Sequence, residues 1–441
     1  MAFSGRVPVG LPRCHVGGPH PLIGGRPGRP GSHNRGKRKG NEQDMRLPAK
    51  AATAGCAAVS LAALVTAMAG QVPAASAAPA ISVSSFNRTF SAMAALKPIT
   101  AKGTGGIGAI LPDTVSSTRY VEFDAPYLTQ AMKDAGLPSS DISVVNAHGS
   151  DATEYADAQA DIAKGDKVLI MDPLDSGVGA KIESYAASHG VKVIDYDRLT
   201  LGGSRAYYVS FNNVHVGQLL GQGLVSCISA WGVKNPQVLV MRGAPTDNNA
   251  TLFYDGYWSV LSPLFKSGKY KLVGQPPGTW TPTVALTEFE QAYTAHPNIN
   301  AVLMPNDENG APVIKYLQSK GVKPHTFPIT GQDATLTGLG NVLTGYQCGT
   351  VYKPIYLEAQ GAVALAIYLR AGMTPPSSLV NGKTEDTTEH KEVPSVLMTP
   401  EWVTVKNMAK TVIADRFVPP AQLCAAPYAN AAACKAAGIT P

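Results

Sequence analysis

Short apolar runs alternate with longer amphipathic stretches from about residue 103 onwards. Helix-length stretches such as Val121–Ala135, Val214–Ile228 and Pro354–Leu369 separate most of these runs. This alternation predicts parallel sheets with helices on both faces. The strand-like runs are Ile107–Leu111, Ile142–Val145, Val168–Met171, Val191–Ile194, Tyr207–Ser210, Val238–Met241, Ala301–Met304, Phe327–Thr330 and Thr350–Tyr352. They are too many for one sheet, so we predict an α/β protein with two Rossmann-like lobes.

Polar residues recur where the strand-like runs end. In chain order they are Arg119; Asp172; Asp195, Asp197 and Arg198; Asp247, Asn248 and Asn249; Asn306 and Asp307; and Gln332 and Asp333. In open α/β sheets, ligands bind outside the carboxyl ends of the strands. Any one of these residues is explained equally well as a helix cap or a turn residue. Their repetition over six loops, however, indicates a ligand site.

These residue types suit a monosaccharide. Each sugar hydroxyl both donates and accepts, and Asp accepts, Arg and Lys donate, and Asn does both. Aromatic rings cover the flat C–H faces of a sugar. Tyr120 and Trp280 are placed for this role, because each follows a strand-like or loop segment. The alternative for both rings is an ordinary role in the core.

The segment from Met45 has the pattern of an export signal. A basic start is followed by an Ala-rich apolar stretch and then by the small residues Ala75-Ser76-Ala77. This predicts a signal peptide over residues 45–77, cleaved near Ala77, and an exported, extracytoplasmic protein. A membrane anchor is the alternative. Residues 1–44 are rich in Gly, Pro and Arg and predict a disordered basic extension, arising either as a long signal n-region or from a start codon upstream of the true one.

The charge distribution argues against a nucleic-acid partner. The net charge is +6, but residues 1–50 hold ten Lys or Arg against Glu42 and Asp44, which is a local +8. The remaining chain has 27 basic and 29 acidic residues and is therefore close to neutral. It shows no basic cluster of the kind that binds phosphates.

No cofactor or metal is expected. Gly103–Gly108 lies before the first strand-like run, so it lacks the strand–loop–helix context of a dinucleotide loop. Four cysteines follow the expected cleavage site, and an even number in an exported protein suggests disulfides. Three pairings are possible; closeness in sequence favours Cys424 with Cys434, which leaves Cys227 with Cys348. No CxxC pair or His spacing supports zinc.

Several segments together resemble the type I periplasmic sugar-binding proteins of ABC transporters, in the D-xylose-binding and multiple-monosaccharide-binding branch. The resemblance extends from about Gly106 to Phe417. Its most specific segments are Val193–Leu199, Pro245–Ala250, Thr330–Ala334 and Thr350–Pro354. Ser116–Tyr120 and Phe253–Gly256 resemble the multiple-sugar branch, whereas Tyr352–Pro354 resembles the xylose branch.

The resemblance implies a set of sugar-binding residues. Hydrogen bonds would come from Arg119, Asp197, Arg198, Asn249, Asn306, Asp333 and Lys353, and ring packing from Tyr120 and Trp280. Two positions depart from the family pattern. Tyr120 stands where the xylose-binding members have Trp, and Asn212 replaces an Asp at the first crossing between lobes.

The resemblance also implies a periplasmic-binding-protein-like I fold, in which two lobes are joined by a three-segment hinge. The crossings are expected near Ser210–Asn213, Tyr352–Pro354 and Pro394–Thr399. The N-terminal lobe would comprise residues 103–211 and 353–397, and the C-terminal lobe residues 212–352 and 398–441. Residues 78–102 are expected to be a linker.

The implied function is capture of a monosaccharide, D-xylose foremost, by a monomer that closes around it and delivers it to the permease of an ABC importer. A chemosensory protein or a broad-specificity aldose-binding protein is an alternative. A sugar-processing enzyme would use carboxylates among Asp197, Asp307 and Asp333. A sugar-responsive repressor would need a helix-turn-helix before Gly106, where the sequence has a signal peptide and a disordered stretch instead.

Overall fold

The first lobe is built on a seven-stranded sheet. The computed structural model describes residues 81–440. The strands of this sheet are β1 Ile107–Leu111, β2 Ile142–Asn146, β3 Val168–Met171, β4 Lys192–Tyr196, β5 Tyr207–Phe211, β10 Gly382–Asp386 and β11 Lys391–Met398. Their order is β10-β11-β5-β4-β3-β1-β2. Only β10 runs antiparallel to its neighbour, and the other pairs are parallel.

The second lobe has two smaller sheets. Their strands are β6 Gln237–Val240, β7 Lys271–Gly274, β8 Ala301–Leu303, β9 Thr350–Tyr352 and β12 Glu401–Val403. β7-β6-β8 form a parallel sheet, and β12 pairs antiparallel with β9. The strand expected at Phe327–Thr330 is reduced to one parallel bridge between Ile329 and Val302.

Helices separate most of the strands, as the sequence pattern predicts. They are α1 Lys97–Thr100, α2 Ala125–Asp134, α3 Asp151–Lys164, α4 Ser176–Ser188, α5 Asn213–Ala230, α6 Asn248–Lys266, α7 Pro282–Ala295, α8 Asp307–Ser319, α9 Leu336–Leu343, α10 Ile355–Arg370, α11 Pro420–Leu423 and α12 Ala431–Ala436. Side-chain caps start several of them. Asp247 accepts from the N–H of Asn249 at the start of α6, and Asn306 accepts from Asn309 at the start of α8.

The strands are apolar on both faces because helices cover both faces. In β1, Ile107 and Leu111 pack in the core with α2 and α10, whereas Ile110 packs with α3 and α4. The second lobe repeats this arrangement, since Val240 faces α5 and α6 and Leu239 faces α7 and α8. Continuous apolar runs are typical of parallel strands buried in this way. The α/β prediction with helix-flanked parallel sheets is therefore confirmed.

The chain passes between the lobes three times. It leaves the seven-stranded sheet after Phe211, returns to the first lobe with α10 after β9, and leaves again after Met398. These junctions fall in the three segments named from the sequence. The carboxyl ends of β1, β3 and β4 therefore meet the loops that follow β6 and β8.

The expected linker is wrong over its described part. Residues 81–102 form short helical turns, and Phe86, Phe90, Met93 and Leu96 are buried in the main core. Their burial shows that this segment belongs to the folded core in spite of the Ser and Ala content that suggested a linker. The basic extension 1–44 and the signal peptide 45–77 lie outside the described residues.

Two disulfides connect the four cysteines. Cys227 pairs with Cys348, and Cys424 pairs with Cys434, as closeness in sequence favoured. The first disulfide joins the end of α5 to the approach to β9 within the second lobe. The second closes the C-terminal loop, whose residues Leu423 and Ile439 pack in a core cluster with α9.

Helices α5 and α6 approach each other at two glycines. A Cβ atom at Gly217 would overlap the carbonyl oxygen of Phe253, and one at Gly256 would overlap the carbonyl oxygen of Val214. Neither obstacle is a flexible side chain, so the helices would have to separate. α6 begins with Asn248 and Asn249, so this contact also fixes the position of a predicted site residue.

We expect Gly256→Ala to destabilise the protein by about 1–3 kcal/mol, because overpacking forces backbone shifts. Gly310→Ala is the matched control, since Gly310 also lies inside a helix but its Cβ would make ordinary contacts, with the Met304 side chain at 3.4 Å and the Thr330 carbonyl at 4.0 Å. The control should be neutral or slightly stabilising, because alanine favours the helix. Chemical denaturation of both variants measures the difference. Equal stabilities would contradict the close approach of α5 and α6.

Candidate ligand-binding site

The nine residues predicted from the sequence surround one cavity between the lobes. They are Arg119, Tyr120, Asp197, Arg198, Asn249, Trp280, Asn306, Asp333 and Lys353. The cavity has about 300 Å³ of empty space, including its opening to solvent. Ser116, Ser117, Asp247, Phe253 and Gln332 line it as well and were not in the predicted set. Loops at the carboxyl ends of β1, β4, β6 and β8 supply most of these side chains, as the sheet geometry requires.

The guanidinium of Arg119 is held by three buried carboxylates. Its Nε and Nη2 donate to Asp124 at 2.8 and 2.7 Å, Nη2 also donates to Glu358 at 2.6 Å, and Nη1 donates to Asp197 at 2.9 Å. Arg119 is only 1% exposed. Because a buried charge is tolerated only when it is paired, these contacts fix the side chain. Four of its five N–H groups are used, which leaves one for a ligand.

Asp197 stays ionised in this environment. Burial by itself raises the pKa of its carboxyl, but the charges of Arg119, Lys353 and Arg198 outweigh burial and lower that pKa to about 2. The Tyr120 hydroxyl donates to the second carboxylate oxygen at 3.0 Å. Asp197 is therefore a charged acceptor with a fixed orientation at the wall of the cavity.

The backbone of Asp197 is strained and is stabilised from both lobes. Its φ is 56°, in the left-handed region that non-glycine residues rarely adopt. Its carbonyl oxygen accepts three hydrogen bonds of 2.8 Å, from the hydroxyls of Tyr208 and Ser210 and from the amide of Asn249. Asn249 thus connects the start of α6 in the second lobe to the loop after β4 in the first.

Arg198 is surrounded by acidic groups but is loosely held. Its nitrogens lie 3.6 Å from Asp172, 3.7 Å from Asp247 and 4.0 Å from Asp113. Its Nη2 donates to the Tyr120 hydroxyl at 3.1 Å. That hydroxyl therefore joins Asp197 to Arg198, and the tyrosine presents a polar edge to the cavity in addition to its ring.

The second lobe supplies further polar groups and contacts the first directly. Lys353 pairs with Asp333 at 2.8 Å, and the other oxygen of Asp333 accepts from the Ser117 hydroxyl at 3.1 Å. The amide of Asn306 donates to the Ser116 carbonyl at 3.0 Å. These hydrogen bonds cross the cleft, so the structure shows the lobes closed on each other.

Asp247 orients the aromatic wall of the cavity. The indole N–H of Trp280 donates to its Oδ2 at 2.9 Å, while its Oδ1 caps α6. The indole lies against Gly243, where any Cβ would overlap the ring. The motif Pro245–Ala250 contained the signal for this role, but the sequence analysis interpreted Asp247 only as one of several polar loop residues.

The three carboxylates named for a sugar-processing enzyme differ in their positions. Asp307 does not line the cavity; its oxygens accept from Gln347, Thr335 and Thr350 instead. Asp197 and Asp333 line it, but each is engaged with a cation. Among residues 81–440, no cluster of three or more acidic, His or Cys side chains has the arrangement of a metal site. The arrangement offers hydrogen bonds and an aromatic face to a small polar ligand.

Arg119 contacts three acidic side chains, Asp124, Asp197 and Glu358, and its single positive charge cannot neutralise all three. Burial raises the pKa of the Glu358 carboxyl to about 8 despite the opposing effect of Arg119. A raised pKa in the folded state means that the contribution of protonated Glu358 to stability is complete below about pH 4.5 and is lost as the pH rises through about 8.

We therefore expect Glu358→Gln to have little effect near pH 5 and to stabilise the protein relative to the wild type increasingly towards pH 9. The amide keeps the shape of the protonated carboxyl, and Arg119 keeps its other two partners. Melting temperatures of both proteins across this pH range measure the effect. Glu385→Gln, at an exposed position, is the control and should show no such trend. A constant difference between Glu358→Gln and wild type at all pH values would show that Glu358 is ionised throughout.

Comparisons with known proteins agree with this geometry. A family model described as a periplasmic binding protein domain matches residues 107–373. The chain is 36% identical over 290 residues to the D-xylose-binding periplasmic protein of Escherichia coli (strain K12), covering 65% of this chain and 84% of that protein. It is 30% identical over 333 residues to the multiple sugar-binding periplasmic receptor ChvE of Rhizobium radiobacter, covering 72% and 91%.

A solved structure gives the same result for the fold. The carbohydrate transporter solute binding protein from Chloroflexus aurantiacus, in complex with D-glucose, matches with a TM-score of 0.64 and 26% identity over 72% of this chain and 97% of that chain. The chain therefore belongs to the periplasmic binding proteins and is a type I sugar-binding protein of the branch that includes the D-xylose-binding and multiple-sugar-binding proteins.

Proposed function

We propose that this solute-binding protein captures D-xylose, or an aldose closely related to it, in the cavity between its lobes and delivers it to an ABC importer. One observation carries the proposal. Nine polar and aromatic side chains that the family resemblance assigns to a sugar converge from both lobes on a single cavity. Within the first lobe, Arg119 and Tyr120 orient the Asp197 carboxylate before any ligand arrives, which lowers the cost of binding.

The donors and acceptors suit vicinal hydroxyls. Asp197 and Asp333 are acceptors on opposite sides of the cleft, and Arg119, Arg198 and Lys353 are donors. A hydroxyl that donates to a carboxylate and accepts from a neighbouring cation satisfies both at once. Trp280 supplies an aromatic surface for the C–H face of the ring.

Xylose is favoured because proteins named for D-xylose binding are among the relatives. The Tyr352–Pro354 segment, which resembles the xylose branch, places Lys353 in the cavity. The identity to ChvE and the glucose-bound neighbour support testing hexoses in parallel. We propose that the protein is a monomer and that it binds its sugar without converting it.

Closure is the mechanism that couples binding to transport. A sugar that touches both lobes binds the closed form better than the open form and shifts the population towards the closed form. The bonds from Asn249 to Asp197 and from Asn306 to Ser116 would form at the same time. We propose that the permease recognises this closed form.

We further propose that the protein is exported, with the signal peptide over residues 45–77 removed near Ala77. Its periplasmic relatives and the export pattern support this location. No helix within residues 81–440 combines the length and apolarity needed to cross a bilayer.

A thermal-shift screen followed by titration calorimetry tests the function. The panel is D-xylose, L-arabinose, D-glucose, D-galactose and L-fucose. D-xylose is expected to raise the melting temperature most, because a ligand that binds only the native state stabilises it. A shift that is largest with another sugar would correct the specificity, and the absence of any shift would refute sugar binding. Recovery of the unchanged sugar after incubation distinguishes binding from catalysis.

Asp333→Ala and Asn249→Ala should each weaken sugar binding by at least about 2 kcal/mol. Asp333→Ala leaves the buried Lys353 without its carboxylate partner, and Asn249→Ala removes the hydrogen bond that joins α6 of the second lobe to the Asp197 carbonyl. Asp255→Ala is the control, because Asp255 lies on the exposed side of α6. Calorimetry that finds wild-type affinity in both cavity variants would refute the assignment of the site.

A further inference from the structure

Gln332 has a buried hydrogen-bonding group without a partner beside the cavity. The residue is 3% exposed and lines the cavity. Its side-chain oxygen Oε1 is buried and has no donor within the part of the chain that the structure describes. Several side-chain acceptors of its neighbours are occupied, since Asp197 accepts from Arg119, Asn249 from the amide of Asn213 and Asn306 from the N–H of Asn309.

The backbone holds Gln332 firmly in place. Its carbonyl accepts from the N–H of Asp307 at 3.1 Å, and it forms a parallel bridge with Val351. The N–H of the next residue, Asp333, donates to the Val351 carbonyl at 2.9 Å. These contacts fix the backbone of Gln332 at the edge of the cavity.

Buried polar groups in native proteins are almost always hydrogen-bonded, and an exception at a cavity indicates a ligand. A ligand that enters the cavity lined by Gln332 can supply the missing partner. A sugar hydroxyl meets this need in either orientation of the amide, because a hydroxyl both donates and accepts. A C–H group at the same place forms no such hydrogen bond with the amide in either orientation.

We propose that Gln332 hydrogen-bonds one ring hydroxyl of the bound sugar and is a specificity-determining residue of the site. This inference depends on the proposed function and adds a residue to it. A site with an otherwise unpaired polar group discriminates strongly against a ligand that lacks the matching hydroxyl. Gln332 therefore selects for a hydroxyl at the carbon that faces the loop containing Gly331 and Asp333.

The test compares Gln332→Met with the wild type by titration calorimetry. Methionine keeps the length of the side chain but removes the amide. The probes are D-xylose and its 2-deoxy, 3-deoxy and 4-deoxy analogues. We expect Gln332→Met to lose at least about tenfold in affinity for D-xylose. We also expect wild type and variant to bind one of the deoxy analogues equally, which identifies the hydroxyl concerned.

Two further variants keep the test decisive. Gln332→Asn retains the amide but shortens the side chain, so it should lose affinity for the same sugars if the methionine variant does not fold. Gln318→Met makes the same chemical change at an exposed position of α8 and should bind every probe as the wild type does.

The outcomes separate this inference from the proposed function. If the wild type binds none of the probes, the proposed function fails and the inference with it. If the wild type binds D-xylose and Gln332→Met binds it equally well, the inference alone is overturned. It is also overturned if the variant loses the same factor on D-xylose and on every deoxy analogue, because a purely structural effect would do this.

Discussion

The ion cluster around Arg119 is the constraint on which the site depends. One buried guanidinium meets carboxylates from three distant parts of the chain, namely the turn at Asp124, the loop after β4 at Asp197, and α10 at Glu358. Removing Arg119 would strand the charge of Asp197 in a dry environment, where an unpaired charge is strongly destabilising. The cluster therefore fixes three segments of the first lobe relative to each other and gives Asp197 its place at the cavity wall.

Groups on opposite sides of the cleft also serve as hydrogen-bonding partners for each other. Asp197 has a left-handed backbone, and its carbonyl is satisfied in part by Asn249 of the second lobe. Asp333 of the second lobe is satisfied in part by Ser117 of the first. Each lobe thus supplies hydrogen-bonding partners to polar groups of the other lobe. A sugar in the cavity would add contacts to both sides, so that the energy of closing the cleft and the energy of binding the ligand are linked.

Most of the site residues that could not be identified from the sequence are hydrogen-bonding or ionic partners of other site residues. Asp124 and Glu358 hold Arg119, yet no motif of their own marks them. Asp247 holds Trp280 and lies near Arg198; it belongs to the Pro245–Ala250 motif, but its sequence alone did not show this role. Glu358 lies inside an otherwise apolar helix, and only the fold shows that it reaches Arg119. The strands β7, β10 and β12 were also missed because they are short or partly exposed and lack the continuous apolar pattern of buried strands.

The sequence alone determined the α/β class, the helix-covered parallel strands and the polar loops at their ends, because hydrophobic periodicity and strand-end chemistry are local properties. The buried segment at Phe86–Leu96 shows the limit of composition as a guide, since its apolar side chains pack in the core despite its Ser and Ala content. The tertiary structure alone decided which charges pair, that Tyr120 joins Asp197 to Arg198, and that Gln332 has a buried oxygen without a donor among residues 81–440. These properties arise from the approach of residues far apart in the chain, and burial and hydrogen-bond geometry exist only once the lobes are packed.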